Sequence, residues 1–146
     1  MDLKNKKVTV VGMGLTGVAT ANFLVGQGAW VTIVDQKKRE QLGEALRSLD
    51  PAAIPRFETS KPPDHAELIV LSPGVDIQSP FLAEARGQGG EIVSEIELAF
   101  RFNRAPVIAV TGTNGKTTTV TLVADLLKEA GRTSAWEAIL AFPLFP

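Results

Sequence analysis

Two glycine-rich strings hold the residues best suited to chemistry. The first, Gly12-Met13-Gly14-Leu15-Thr16-Gly17, has the spacing G-x-G-x-x-G. Glycine allows a tight turn and a close backbone approach to a phosphate, and a helix opening just after it offers free N–H groups and a positive dipole end. Asp35 stands 18 residues beyond Gly17, where a carboxylate can accept hydrogen bonds from a nucleoside. The second string is Thr111-Gly112-Thr113-Asn114-Gly115-Lys116-Thr117-Thr118. It ends in Gly-Lys-Thr, as phosphate-binding loops do, but position 110 is Val110 where the usual loop has its first glycine. The chemistry carries over: N–H groups cradle phosphate oxygens, Lys116 reaches the terminal phosphates, and the Thr117 hydroxyl ligates Mg²⁺.

The flanking patterns supply the elements these loops need. Val8-Thr9-Val10-Val11 and Val31-Thr32-Ile33-Val34 are β-branched runs, suited to strands buried on both faces of a parallel sheet. A helix is expected from Val18 to about Gly26 or Gly28, and another over residues 37–49, where Leu42, Ala45, Leu46 and Leu49 fall at helical spacing. Pro51, Pro55, Pro62 and Pro63 mark an irregular stretch. Leu68-Ile69-Val70-Leu71 reads as a strand closed by the turn Ser72-Pro73-Gly74. A helix over residues 80–86, a short strand at Glu91-Ile92-Val93 and a helix over 95–103 follow. Residues 106–110 then restart the pattern as a strand, and the helix after Gly115 places Val120, Val123, Leu127 and Ala130 on one apolar face. The alternation predicts an α/β chain: a Rossmann-like parallel-sheet domain over residues 1–93, then the start of a P-loop ATPase domain over residues 94–132.

Composition narrows the function classes. The 146 residues include 15 basic and 16 acidic side chains, for a formal net charge of -1. No basic excess draws the chain to nucleic acid or an anionic membrane. Cysteine is absent and His65 is the single histidine, which excludes disulfides, thiolate catalysis and cysteine or histidine-cluster metal sites. Lys4, Lys6 and Lys7 ahead of an apolar stretch resemble a signal peptide, but Gly12, Gly14, Thr16 and Gly17 break that stretch. No run approaches the roughly 18 apolar residues of a membrane span, so a cytoplasmic protein is expected. His65 reads as an exposed spectator and Trp30 and Phe57 as packing residues; residues 37–40 read as a solvated helix start.

Both loops, in this order and 100 residues apart at Gly12 and Gly112, resemble those of the Mur ligases of bacterial cell-wall synthesis. The second loop, short glycine spacing included, looks like that family's ATP loop. The first loop and Leu71-Ser72-Pro73-Gly74-Val75 point to its D-glutamate-adding branch. The resemblance covers residues 1 to about 132. It implies a first domain that holds the UDP of UDP-N-acetylmuramoyl-L-alanine. Leu15 and Thr16 would lie at the diphosphate with Gly14 and Gly17, Asp35 at the uridine, and Ser72 and Gly74 nearby. It implies ATP and Mg²⁺ on Gly112, Thr113, Asn114, Gly115, Lys116, Thr117 and Thr118, with Lys116 as the catalytic charge and Thr117 as a metal ligand. The implied reaction turns the substrate carboxylate into an acyl phosphate, which the amine of D-glutamate attacks to form an amide.

Two departures qualify the resemblance. Family members run to about three domains, so a chain of this length is expected to be inactive alone. The family also continues past the Lys-Thr helix with a Gly-Gly-Asn-x-Gly segment, whereas residues 134–143 carry no glycine. Codons TGG GAG GCA ATC CTG GCA TTC CCC for residues 136–143, read two bases later, begin Gly-Gly-Asn-Pro-Gly-Ile. Residues 133–146 are therefore expected to be an aberrant, frameshifted tail, poorly packed or held by a neighbouring chain. Two rivals stand beside the ligase: an NAD(P)-binding oxidoreductase domain, which leaves Gly115-Lys116-Thr117 unexplained, and a non-catalytic nucleotide-binding fragment.

Overall fold

The computed structural model describes residues 1–63, 65–73, 75–76 and 78–132. The chain divides into two compact units, one spanning Met1–Phe102 and the other beginning at Asn103.

The first unit is built on five parallel strands in the order β3-β2-β1-β4-β5. These are β1 (Lys7–Val11), β2 (Trp30–Val34), β3 (Ile54–Arg56), β4 (Leu68–Leu71) and β5 (Glu91–Ser94). The two β-branched runs and the Leu-Ile-Val-Leu run form the three central strands, where both faces are covered. Leu68, Val70, Val8, Val10, Val31 and Ile33 face one cluster with Val18, Ala21 and Leu24 of helix α1 (Leu15–Gly26). Val11, Val34, Ile69 and Leu71 face the other, with Leu82 of helix α3 (Pro80–Gly87). Helix α4 (Glu95–Phe102) returns to the first face: Leu98 is buried there, and Phe102 meets Phe23 edge-on at 5.0 Å between ring centres. This packing is why the compact unit includes α4.

Three expectations change here. The helix expected over residues 37–49 is a 3-10 turn (Arg39–Leu42) followed by the single-turn helix α2 (Gly43–Arg47). The proline-rich stretch contains β3, an edge strand in which Pro55 pairs with Ile33; an edge is where proline's missing N–H is tolerated. Trp30 is not a packing residue: it is 62% exposed at the start of β2.

In the second unit, helix α5 spans Lys116–Glu129, with Gly115 at its N-cap in the left-handed region (φ 75°). Residues 106–110 are not a strand. An apolar run becomes a strand only when a neighbouring backbone completes its ladder, and among the described residues none pairs with it. Val107 and Ile108 are accordingly exposed. Among the described residues no helix is long and apolar enough to cross a membrane. The expectation for residues 133–146 lies outside the described residues.

Candidate functional site

The strand order reverses direction between β1 and β4, and parallel sheets bind ligands outside the carboxyl ends of the strands at such a point. The first glycine loop occupies it. Gly12 leaves β1 with φ 106°, a conformation that side chains resist. Its N–H donates to the carbonyl of Val34 (2.8 Å), which ties the loop to the end of β2. Met13 turns inward and is fully buried, anchoring the loop in the core. Its N–H donates to Asp35 Oδ2 at 2.7 Å, while Asp35 Oδ1 accepts from the N–H of Lys37 at 2.8 Å. Asp35 thus latches the loop from the end of β2.

Helix α1 begins at Leu15, and its N-cap Gly14 offers no side-chain cap. No acidic residue occupies its first turn. The helix therefore presents open N–H donors and its positive end at the mouth of the loop, an arrangement suited to an anion. Leu15 is 79% exposed, and Thr16 is half-buried beside it.

Ser72 closes the site from β4. Its N–H donates to the carbonyl of Val11 (3.0 Å). Its hydroxyl lies between the two ends of the glycine loop: a Cβ built on Gly12 or on Gly17 would come 3.0 Å from Ser72 Oγ. A Cβ on Gly17 would also lie 1.9 Å from the carbonyl oxygen of Gly12, so glycine there lets α1 pack directly on the loop. Gly14, Leu15, Thr16, Gly17, Asp35 and Ser72 are thus gathered at the ends of β1, β2 and β4. Gly74 lies outside the described residues.

Residues 6–94 match the family model for the N-terminal domain of MurD-like Mur ligases. The chain belongs to the MurD-like Mur ligase family. It is 46% identical over 135 residues to the UDP-N-acetylmuramoylalanine–D-glutamate ligase of Geobacter sp. (strain M21), covering 90% of this chain and 30% of that protein. It is 42% identical over 147 residues to the enzyme of that name from Caldanaerobacter subterraneus subsp. tengcongensis, covering 99% of this chain and 33% of the relative. Among solved structures it resembles a pseudomurein peptide ligase type C from Methanothermus fervidus, with a TM-score of 0.52 and 26% identity over 86% of this chain and 27% of that one. The chain thus spans about a third or less of the length of these ligases.

The second loop of this Mur ligase chain is exposed from Thr111 through Thr119. Gly112 (φ 152°) and Gly115 (φ 75°) shape the turn. The Lys116 ammonium folds back and donates to the carbonyl of Gly112, with Thr113 O further off at 3.5 Å. Helix α5 also begins with no side-chain cap and no acidic first turn, so Gly112 to Thr118 combine open N–H donors with the Lys116 ammonium. The carbonyl of Thr117 accepts from Thr121 Oγ at 2.9 Å. Among the described residues no group of three or more acidic or histidine side chains could hold a metal.

Sequence reasoning missed one residue of the first site. Glu95, at the carboxyl end of β5, is 3% exposed. It accepts a hydrogen bond from Ser72 Oγ at 2.6 Å. Burial pushes this carboxyl above the usual range, and the Ser72 and Thr16 hydroxyls pull the other way. Its position directly after a strand end was the available signal, since the other site residues share it.

Proposed function

We propose that this chain is the nucleotide-sugar-binding domain and the beginning of the ATP-binding domain of a ligase that adds D-glutamate to UDP-N-acetylmuramoyl-L-alanine in cytoplasmic peptidoglycan synthesis. The observation that carries the reading is the first loop. An uncapped helix N-terminus, a latched glycine turn and two hydroxyl side chains meet at the switch point of the sheet. That arrangement suits a diphosphate. The names of the relatives supply the sugar and the amino acid.

In the full-length enzyme, Leu15 and Thr16 would flank the diphosphate and Asp35 would face the uridine while holding Met13. Gly112 to Thr118 would cradle the phosphates of ATP. Lys116 would leave the Gly112 carbonyl for the transferring phosphoryl group, and Thr117 would give one oxygen to Mg²⁺, which neutralises phosphate charge when bound. Ligation needs the domains that the relatives carry beyond this chain, so the chain alone is expected to be inactive.

Titration calorimetry of this chain with UDP-N-acetylmuramoyl-L-alanine and with NAD tests the first site. Binding of the UDP-sugar and none of NAD is expected; tighter NAD binding would overturn the reading. In the full-length enzyme, Lys116→Ala should cost about 3 kcal/mol or more in transition-state stabilisation, by analogy with other charge-stabilising groups. Near-normal ligation by that variant would remove the second loop from the mechanism.

A further inference from the structure

Asparagine occurs four times in the chain, as Asn5, Asn22, Asn103 and Asn114, and only Asn114 is followed by glycine. The backbone nitrogen after an asparagine can attack the side-chain amide carbon and close a five-membered ring. Glycine in that next position puts no side chain in the way. The structure closes this route at the other three. The amide of Asn22 is held at both ends: Nδ2 donates to the carbonyl of Ser48 at 2.7 Å, and Oδ1 accepts from the N–H of Asp50 at 2.7 Å. Asn103 is held in the same way by the carbonyl and N–H of Ala105. The nitrogen after Asn5, that of Lys6, is engaged with the carbonyl of Leu3 at 3.0 Å.

The route is open at Asn114. It lies in the exposed second glycine loop, and among the described residues neither its side chain nor the Gly115 N–H has a hydrogen-bond partner. A Cβ built on Gly115 would meet nothing within 4 Å, so the space beside the attacking nitrogen is empty of protein. The loop also favours the charge that the attack requires. The Gly115 nitrogen must shed its proton first, and it stands at the N-cap of α5, the positive end of a 14-residue helix with no acidic side chain in its first turn. The Lys116 ammonium, donating to the carbonyl of Gly112, adds a positive charge to the same loop. Both stabilise a developing amide anion.

We propose that Asn114–Gly115 is a spontaneous deamidation site built into this loop. Hydroxide takes the Gly115 amide proton, the nitrogen bonds to Asn114 Cγ, and the side-chain nitrogen takes a proton from water and leaves as ammonia. The product is a succinimide. Water opens it at Cγ to give aspartate, or at the backbone carbonyl to give isoaspartate, whose chain runs through the former side chain. One water is consumed, one ammonia is released and nothing is oxidised. Either product sets a carboxylate among the N–H donors of Gly112 to Thr118, where it competes with phosphate. Bound phosphate in turn opposes the reaction, because an oxygen that accepts the Gly115 N–H occupies the nucleophile. That protection rests on the proposed ATP loop; the modification does not.

The test is incubation of this chain at pH 6 and pH 8.5, with and without excess ATP and Mg²⁺, followed by peptide mass spectrometry that resolves isoaspartate from aspartate. Asn114 is expected to convert at least about ten-fold faster than Asn22 or Asn103, whose amides must first give up two hydrogen bonds. Its conversion should be faster at pH 8.5, yield isoaspartate, and slow several-fold with ATP and Mg²⁺. Asn114→Gln, which would have to close a six-membered ring, should lose the fast conversion. Conversion of Asn114 no faster than that of Asn103 would overturn the proposal, as would conversion to aspartate alone, because isoaspartate arises by way of the ring. A fast conversion that survives in Asn114→Gln would place the reaction elsewhere and overturn it too. Fast conversion of Asn114 that ATP and Mg²⁺ leave unchanged would uphold the modification and overturn the protection, together with nucleotide binding by this chain's second loop.

Discussion

Replacing Gly17 by alanine probes the joint between loop and helix. The added Cβ would lie 1.9 Å from the carbonyl oxygen of Gly12 and 3.0 Å from both the Gly12 carbonyl carbon and Ser72 Oγ. An ordinary contact there needs about 3.4 Å, so the helix must retreat by roughly 1.5 Å. A backbone carbonyl cannot rotate aside as a flexible side chain would. The retreat also loosens Val18, Ala21 and Leu24, which α1 buries against the sheet. Overpacking of this kind costs about 1–3 kcal/mol, and the upper end applies when the obstacle is backbone. Alanine returns about 1 kcal/mol of helix propensity over glycine. The net loss is about 2 kcal/mol, which for a unit of this size lowers the melting temperature by roughly 8–16 °C. Thermal unfolding followed by circular dichroism is the assay. The control is Gly14→Ala, where a Cβ meets nothing within 4 Å; it should shift melting much less. A Gly17→Ala chain that melts within about 3 °C of the parent would refute the reasoning.

Two further outcomes are expected. Asp35→Ala strands the N–H groups of Met13 and Lys37 and should cost about 1–3 kcal/mol in urea unfolding, with Asp35→Asn recovering part of the loss through its remaining acceptor; equal losses would show that the latch does not hold the loop. The raised Glu95 carboxyl binds its proton more tightly folded than unfolded, so its contribution to stability is full at low pH and declines as pH rises through its folded value. Urea melts across that range should show a decline that Glu95→Gln lacks, and identical slopes would contradict the assignment.

The central strands were legible because strands buried on both faces are almost continuously apolar, and β1, β2 and β4 are so apart from Lys7, Thr9 and Thr32. The glycine loops were legible because their backbone geometry demands glycine at fixed offsets. Strand β3 was not, since a three-residue edge strand with Ile54 exposed and Pro55 at its centre carries no burial pattern. The periodicity of residues 37–49 is real and buries Leu42, yet the helix breaks into a 3-10 turn and a single α-turn at Gly43. Residues 106–110 misled in the other direction, because apolar character records a need for a partner strand and does not supply one. Glu95 was hidden by its neighbour. Glu97, two residues on, pairs with Arg101 on the surface, and nothing local separates it from Glu95. Only the pairing of β5 with β4 brings Glu95 to Ser72.

The same strand order also sets when the site comes into being. Val8 pairs with Val31 on one side of β1 and with Leu68 on the other. The first pairing closes a far shorter stretch of chain, and the difference in closure entropy is about 0.9 kcal/mol. During synthesis β1, α1 and β2 can zip together before β4 has left the ribosome. That early βαβ piece already carries Gly12 to Gly17 and Asp35, but half of the crevice is missing until β4 docks. A nucleotide ligand therefore has nothing to select among the early intermediates. Its stabilising influence begins only with the long-range pairing that completes the sheet, so ligand should slow unfolding of this unit far more than it speeds folding.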